Sequence, residues 1–228
     1  MRKKIYFIVT AMAIALVFQN CKDDDTVGGD QSSLGEVGNR FSIGYTTPGV
    51  IINTSAQVMD LTDGVSSVQA YGTLIDNNLK DIANDLYAQY GEYYQDIVDY
   101  NPQTGKVSAT VKLKFTDEGI AVYDVNDEPM TLAKFDAKVG DKYTLEEPNF
   151  GEINATVTRV SKEDDFEYKG GPYLYIKTIS LEGTASNFPY AKKINYEVNH
   201  KFGIVYAKML LQDGTSYESY FYSQNIND

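Results

Sequence analysis

His200 and Cys21 are the only imidazole and the only thiol in this chain, and with 32 carboxylates they bound the chemistry it could do. A Ser-His-Asp arrangement or an imidazole base would have to use His200. Its setting, Val198-Asn199-His200-Lys201-Phe202-Gly203, reads as a turn between two strands, and no Gly-x-Ser-x-Gly elbow precedes a helix. One imidazole and one thiol cannot assemble the usual ligand set for zinc or a redox metal. Calcium needs only oxygens, and Asp124, Asn126 and Glu128, with Asp127 beside them, have the alternate spacing that opens a calcium loop. Asp60, Thr62, Asp63 and Gly64 are a poorer second. Both lack the glycine and distal glutamate that complete such a loop, so each reads as an acidic turn.

Glycoside hydrolysis needs two carboxylates held at a set separation in a cleft, and no motif here distinguishes one pair from the others. The run Tyr168-Lys169-Gly170-Gly171-Pro172 joins two strands and opens no helix, so it reads as a tight turn and not a phosphate cradle. The expectation is therefore no enzyme, with no catalytic residue, no metal and no cofactor.

The aromatic composition is biased, with 19 Tyr, 10 Phe and no Trp. Tyr217, Tyr220, Phe221 and Tyr222 cluster near the end, and Tyr87, Tyr90, Tyr93 and Tyr94 fall at helical spacing. A tyrosine has a flat apolar body with a polar tip, which suits a sugar platform or a protein interface, and equally a half-buried sheet position. Tyr217, Tyr220 and Tyr222 are the candidate binding patch. The net charge of −12 and the absence of a basic stripe argue against nucleic acid, which is bound through clustered cations.

Arg2, Lys3 and Lys4 precede an apolar run from Ile5 to Phe18, the form of a secretory signal over residues 1–20. About 14 residues at about 1.5 Å each span about 21 Å, short of the roughly 30 Å hydrocarbon core. The segment Val17-Phe18-Gln19-Asn20-Cys21 resembles the lipobox of bacterial lipoproteins, whose cysteine is diacylated and becomes the first mature residue. Phe18, Gln19 and Asn20 depart from the usual Leu, small residue and Gly or Ala, in the manner of the looser boxes of Bacteroidota lipoproteins. In that group an acidic run after the cysteine resembles an export signal for the outer face of the outer membrane, and Lys22, Asp23, Asp24 and Asp25 match it. The resemblance implies lipidation at Cys21, a palmitate-type acyl anchor in the outer membrane and exposure at the cell surface. With that thiol acylated no disulfide can form.

Residues 21–38 are rich in Asp, Gly and Ser and read as a disordered tether of about 20 to 25 Å mean extension. Residues 39–228 read as one β-rich domain, which can divide into two lobes near 101–106. Lys106 to Phe115 alternates without error, Val107, Ala109, Val111, Leu113 and Phe115 against polar partners. Thr116 to Gly119 is a turn, and Ile120 to Val125 returns as an antiparallel partner. Further strands are expected at Phe41 to Tyr45, Gly49 to Asn53, Val65 to Leu74, Lys142 to Leu145, Ile153 to Val160, Phe166 to Tyr168, Tyr173 to Leu181, Lys193 to Val198, Ile204 to Leu211 and Ser216 to Tyr222. Asp213-Gly214 cues the last hairpin. Leu79, Ile82, Ala83, Leu86, Tyr90, Tyr94, Ile97 and Val98 recur at three and four residues and predict one amphipathic helix, kinked at Gly91.

These elements predict a mainly β fold, a meandering antiparallel sheet curled into a sandwich or half-barrel and covered by one helix. Two functions compete: a binding or accessory module for a protein or glycan partner, with an exposed aromatic patch, and a carrier of an apolar ligand in a helix-covered half-barrel, with an apolar pocket of several hundred cubic ångströms.

Overall fold

A computed structural model describes residues 27–45, 51–124, 126–147, 151–169, 172–185, 191–212 and 214–224; the signal segment, Cys21, Lys22, Asp23, Asp24 and Asp25 lie outside them. In chain order the strands are β1 (Arg40–Tyr45), β2 (Ile51–Thr62), β3 (Val65–Leu74), β4 (Val98–Asn101), β5 (Lys106–Phe115), β6 (Gly119–Tyr123), β7 (Pro129–Lys134) and β8 (Lys142–Glu147). There follow β9 (Gly151–Val160), β10 (Phe166–Glu167), β11 (Tyr175–Ile176), β12 (Ile179–Ala185), β13 (Ala191–Asn199), β14 (Gly203–Leu211) and β15 (Ser216–Ser223). Helix α1 (Asn77–Tyr90) follows β3. The fold is mainly antiparallel β with one α-helix among the described residues, as the alternation predicts.

Thirteen strands form one sheet in the order β7-β6-β5-β3-β2-β1-β15-β14-β13-β12-β9-β8, with β4 paired to the free stretch of β5. The first and last strands of the chain are therefore neighbours, β1 beside β15, and the sheet curls into a nearly closed barrel. Its edges β7 and β8 lie against one another without a shared ladder. Tyr196 of β13 reaches across the interior and donates its hydroxyl to the carbonyl oxygen of Leu132 in β7 at 3.0 Å. Burial holds that phenol protonated, well above the ordinary range. The bond satisfies an edge carbonyl that would otherwise cost about 1–3 kcal/mol when buried.

Several expectations need correction. The helix ends at Tyr90 and does not run to Val98. Gly91 donates to the Tyr87 carbonyl at 2.9 Å, closing the last turn, and Val98 already belongs to β4. The expected kink is a terminus, where a Cβ would press on the carbonyl oxygen of Tyr87. Residues 101–106 hold the turn between β4 and β5 inside the single sheet, so no lobe boundary falls there. The tether reading over 21–38 is too long. Val27 is 1% exposed, Leu34 lies in the main core, and Ser33–Gly35 form a short 3-10 turn. Leu34 is held there by a β-bridge from Gln31 to Thr116 and by Ser32 donating to Phe115 at 2.9 Å.

The remaining strand boundaries moved with turn chemistry. β2 runs nine residues beyond the predicted end at Asn53, to Thr62, through bulges at Ile52/Ser55 and Val58/Asp60. The predicted Tyr173 to Leu181 strand is two pieces, β11 and β12, separated by Lys177 and Thr178. β11 pairs with β10 in a small hairpin that lies apart from the main sheet.

Candidate functional site

The feature that could hold a ligand is a trough across β5, β3, β2, β1, β15 and β14, six consecutive strands of the sheet. Its floor follows from register. Phe41 of β1 faces Ala56 of β2, Ala56 faces Ala70 of β3, and Ala70 faces Ala109 of β5. Three alanines abreast on a core face leave a groove where larger side chains would meet. Phe41, Phe115 and Phe221 wall it, with Ile43, Val68, Val111, Leu113 and Ile204 completing the lining. The free space is about 20 Å³ in the hollow where α1 ends and about 80 Å³ in the trough, which opens to solvent. All ten lining residues of the trough are apolar, so what fits there is hydrocarbon, gaining about 0.8 kcal/mol per buried methylene.

Helix α1 does not roof this trough. Its buried residues Ile82, Ala83 and Leu86 join Leu74, Val98 and Tyr100 in the main core, and the hollow beside it is lined by Tyr87, Tyr90, Gly91 and Tyr94. The Tyr100 hydroxyl donates to Asn84 Oδ1 at 3.2 Å and its ring meets Tyr87 edge-on, fixing the helix against β4. The expected helix-covered cavity is thus an open trough walled by strands, because the helix spends its apolar face on the β3–β4–β5 side.

The predicted aromatic patch is divided by the pleat of β15. Tyr217 packs into the main core, while Tyr220 and Tyr222 stand on the other face. Alternation with a period of two separates residues 217 and 220 in any regular strand. On the outer face Tyr220 meets Tyr206 at 5.1 Å, and Tyr206 meets Phe166 at 6.3 Å. Burial, then Glu218 and Tyr220, hold the Tyr206 phenol well above its ordinary range. The β10–β11 hairpin lies on this face: Tyr168 is fully buried, stacks on Phe202 at 4.5 Å and accepts from the Ser223 amide at 3.0 Å. That anchoring lifts Tyr173 and Tyr175 outward, 93% and 50% exposed, with Tyr173 at φ +57°. A non-glycine residue in that region is strained and uncommon.

No family model matches the chain, and no curated protein matches it significantly. Among solved structures it is similar to a protein from Bacteroides fragilis described as exported and of YmcC-like fold, at 12% identity and a TM-score of 0.40 over 89% of this chain and 99% of that one. It is also similar to a protein from Parabacteroides distasonis described as a lipoprotein, at 10% identity and a TM-score of 0.34 over the same shares. Likenesses of that extent carry no argument about what the chain does.

The other sequence candidates take ordinary structural places. His200 is exposed in the turn between β13 and β14, its ring edge-on to Phe135 at 6.4 Å. Asp124 is buried and accepts from the amides of Asn126 and Glu128 at 2.8 and 2.7 Å and from the Asn126 side chain at 3.2 Å. Those bonds make it a turn former, and no group of three or more His, Cys, Asp or Glu able to hold a metal occurs among the described residues. Sequence reasoning missed the trough. Its only trace is small residues, Ala56, Ala70 and Ala109, on same-face positions of strands whose register the sequence does not state.

Proposed function

We propose that the chain is a lipoprotein of the outer membrane, anchored through acyl chains on Cys21, whose β-domain binds an apolar ligand and transforms none. The observation that carries this reading is the trough: a concavity of about 80 Å³ with ten apolar walls, set into the core face of the sheet. A concave, predominantly apolar lining is the ordinary form of small-ligand sites. The acidic run from Lys22 to Asp25 supports export to the cell surface, and the anchor keeps the domain beside the bilayer.

The test is binding of N-phenyl-1-naphthylamine, an uncharged apolar dye, to the full mature chain. Saturable fluorescence enhancement is expected for the wild type. Ala56→Leu with Ala70→Leu should weaken it at least about ten-fold, because the added methyl groups occupy space worth about 0.8 kcal/mol per methylene. An unchanged melting temperature in the double variant separates lost binding from lost fold. Equal dye binding by the filled and unfilled proteins would overturn the trough as the site.

A second reading, a protein or glycan partner, is favoured by the outward tyrosines of the β10–β11 hairpin. Tyr173 is held exposed and strained by a hairpin anchored through the buried ring of Tyr168, and strain of that kind collects at binding sites.

A further inference from the structure

We propose that the outer face of β5, β3, β2 and β1 binds an uncharged polysaccharide laid across the strands. This site is separate from the trough, which occupies the opposite face of the same strands. Register assembles it. Phe41, Ala56, Ala70 and Ala109 point to the core, so the pleat turns their neighbours outward. In one row Ser108 of β5 stands opposite Tyr71 of β3, Tyr71 opposite Ser55 of β2, Ser55 opposite Ser42 of β1, and Ser42 opposite Tyr222 of β15. In the next row Thr110 faces Gln69, Gln69 faces Gln57, and Gln57 faces Arg40. Strands about 4.8 Å apart make the longer row about 19 Å in length, room for several sugar rings.

Two observations select the ligand. The first is charge. Eight of these nine positions are neutral in a chain of net charge −12, and charge returns only at the rim, with Asp60 and Lys112 opposite Ser67 and with Lys106 opposite Thr73. Elsewhere on the outer face, β12 to β15 carry cross-strand ion pairs, Lys193 with Glu182 and Lys208 with Glu218. With Arg40 as its one cation, the neutral patch has little to attract a phosphate backbone or an anionic glycan.

The second is unspent hydrogen-bonding capacity. Among the described residues the side-chain amides of Gln57 and Gln69 and the hydroxyls of Tyr71, Ser108 and Thr110 bond to no protein group. An amide and a hydroxyl each donate and accept, as sugar hydroxyls do. Tyr71, 51% exposed between Ser108 and Ser55, supplies an apolar plane for the C–H side of a pyranose. A protein partner fits less well. Protein interfaces bury an apolar centre and are depleted of serine, whereas Ser42, Ser55 and Ser108 lie in the row with Tyr71. Short side chains on hydrogen-bonded strands also lose little freedom when a ligand settles on them.

The full mature chain in mild detergent is applied to an array of dextran, mannan, galactan and arabinan, with polygalacturonate and heparin beside them. Binding is expected to at least one neutral polymer and to neither anionic one, with no weakening by added sodium chloride. Tyr71→Thr should bind about ten-fold more weakly, the loss of one aromatic contact residue, and Gln69→Leu about five-fold, the worth of one hydrogen bond. Neither substitution removes a native hydrogen bond, so melting temperature and N-phenyl-1-naphthylamine binding should equal those of the wild type. No neutral polymer bound, or binding confined to the anionic ones, would overturn the proposal. So would equal binding by Tyr71→Thr, which would move the site off this face. A wild-type dimer in analytical ultracentrifugation that Tyr71→Thr dissociates would make the face an interface between copies and overturn it likewise.

Discussion

Cells fed an alkynyl fatty acid should label the wild-type protein and leave Cys21→Ser wholly unlabelled. The expected loss is complete, because Cys21 is the only thiol and thioether acylation has no other residue to use. Ile5 to Phe18 is too short to span a bilayer, so continued membrane association of the processed chain needs another source of apolar surface. Acyl chains supply it at about 0.8 kcal/mol per buried methylene, marginal for one chain and durable for two or more. Label retained by the serine variant, or absent from the wild type, would contradict the anchor.

Gly119→Ala should lower the melting temperature by about 6 to 12 °C. Gly119 opens β6 at the turn from β5, where its amide donates to Thr116 Oγ1 at 3.1 Å. A Cβ there would press on the carbonyl oxygen of Ala133 in β7, with Lys134 Cα at 3.1 Å and Val27 Cγ1 at 3.2 Å. Backbone on one side cannot swing away, and Val27 on the other is itself buried. Overpacking of this kind costs about 3 kcal/mol at the upper end, and each kcal/mol is worth about 2 to 4 °C in a chain of this size. Thermal unfolding followed by circular dichroism checks it. A change under about 2 °C would contradict the packing of Gly119 against the β7 backbone and Val27.

How much of this was legible beforehand depends on the range of the forces involved. β5 read correctly because each of its side chains obeys the local period of two, and the turn at Thr116 to Gly119 carries its own chemistry. The helix read too long because Tyr94, Ile97 and Val98 keep helical spacing while Gly91 ends the helix before them, and those residues are buried from turns and β4 instead. β7 was missed: it begins at Pro129, a residue confined to strand starts and edges, and it is an edge strand. The trough was invisible, since it depends on register between strands far apart in the chain. Ala56, Ala70 and Ala109 mean nothing until β2, β3 and β5 are laid side by side. Tyr217 shows the converse, a residue adjacent in sequence to Tyr220 and Tyr222 that the pleat sends to the opposite face.

The most direct measurement is native mass spectrometry of the protein released in mild detergent from the membranes of its own cells. The account predicts a chain beginning at an acylated Cys21 and carrying one further small non-covalent apolar adduct, which Ala56→Leu with Ala70→Leu removes. A chain of bare polypeptide mass, or an acylated chain with no adduct under conditions that preserve known lipid complexes, would contradict it.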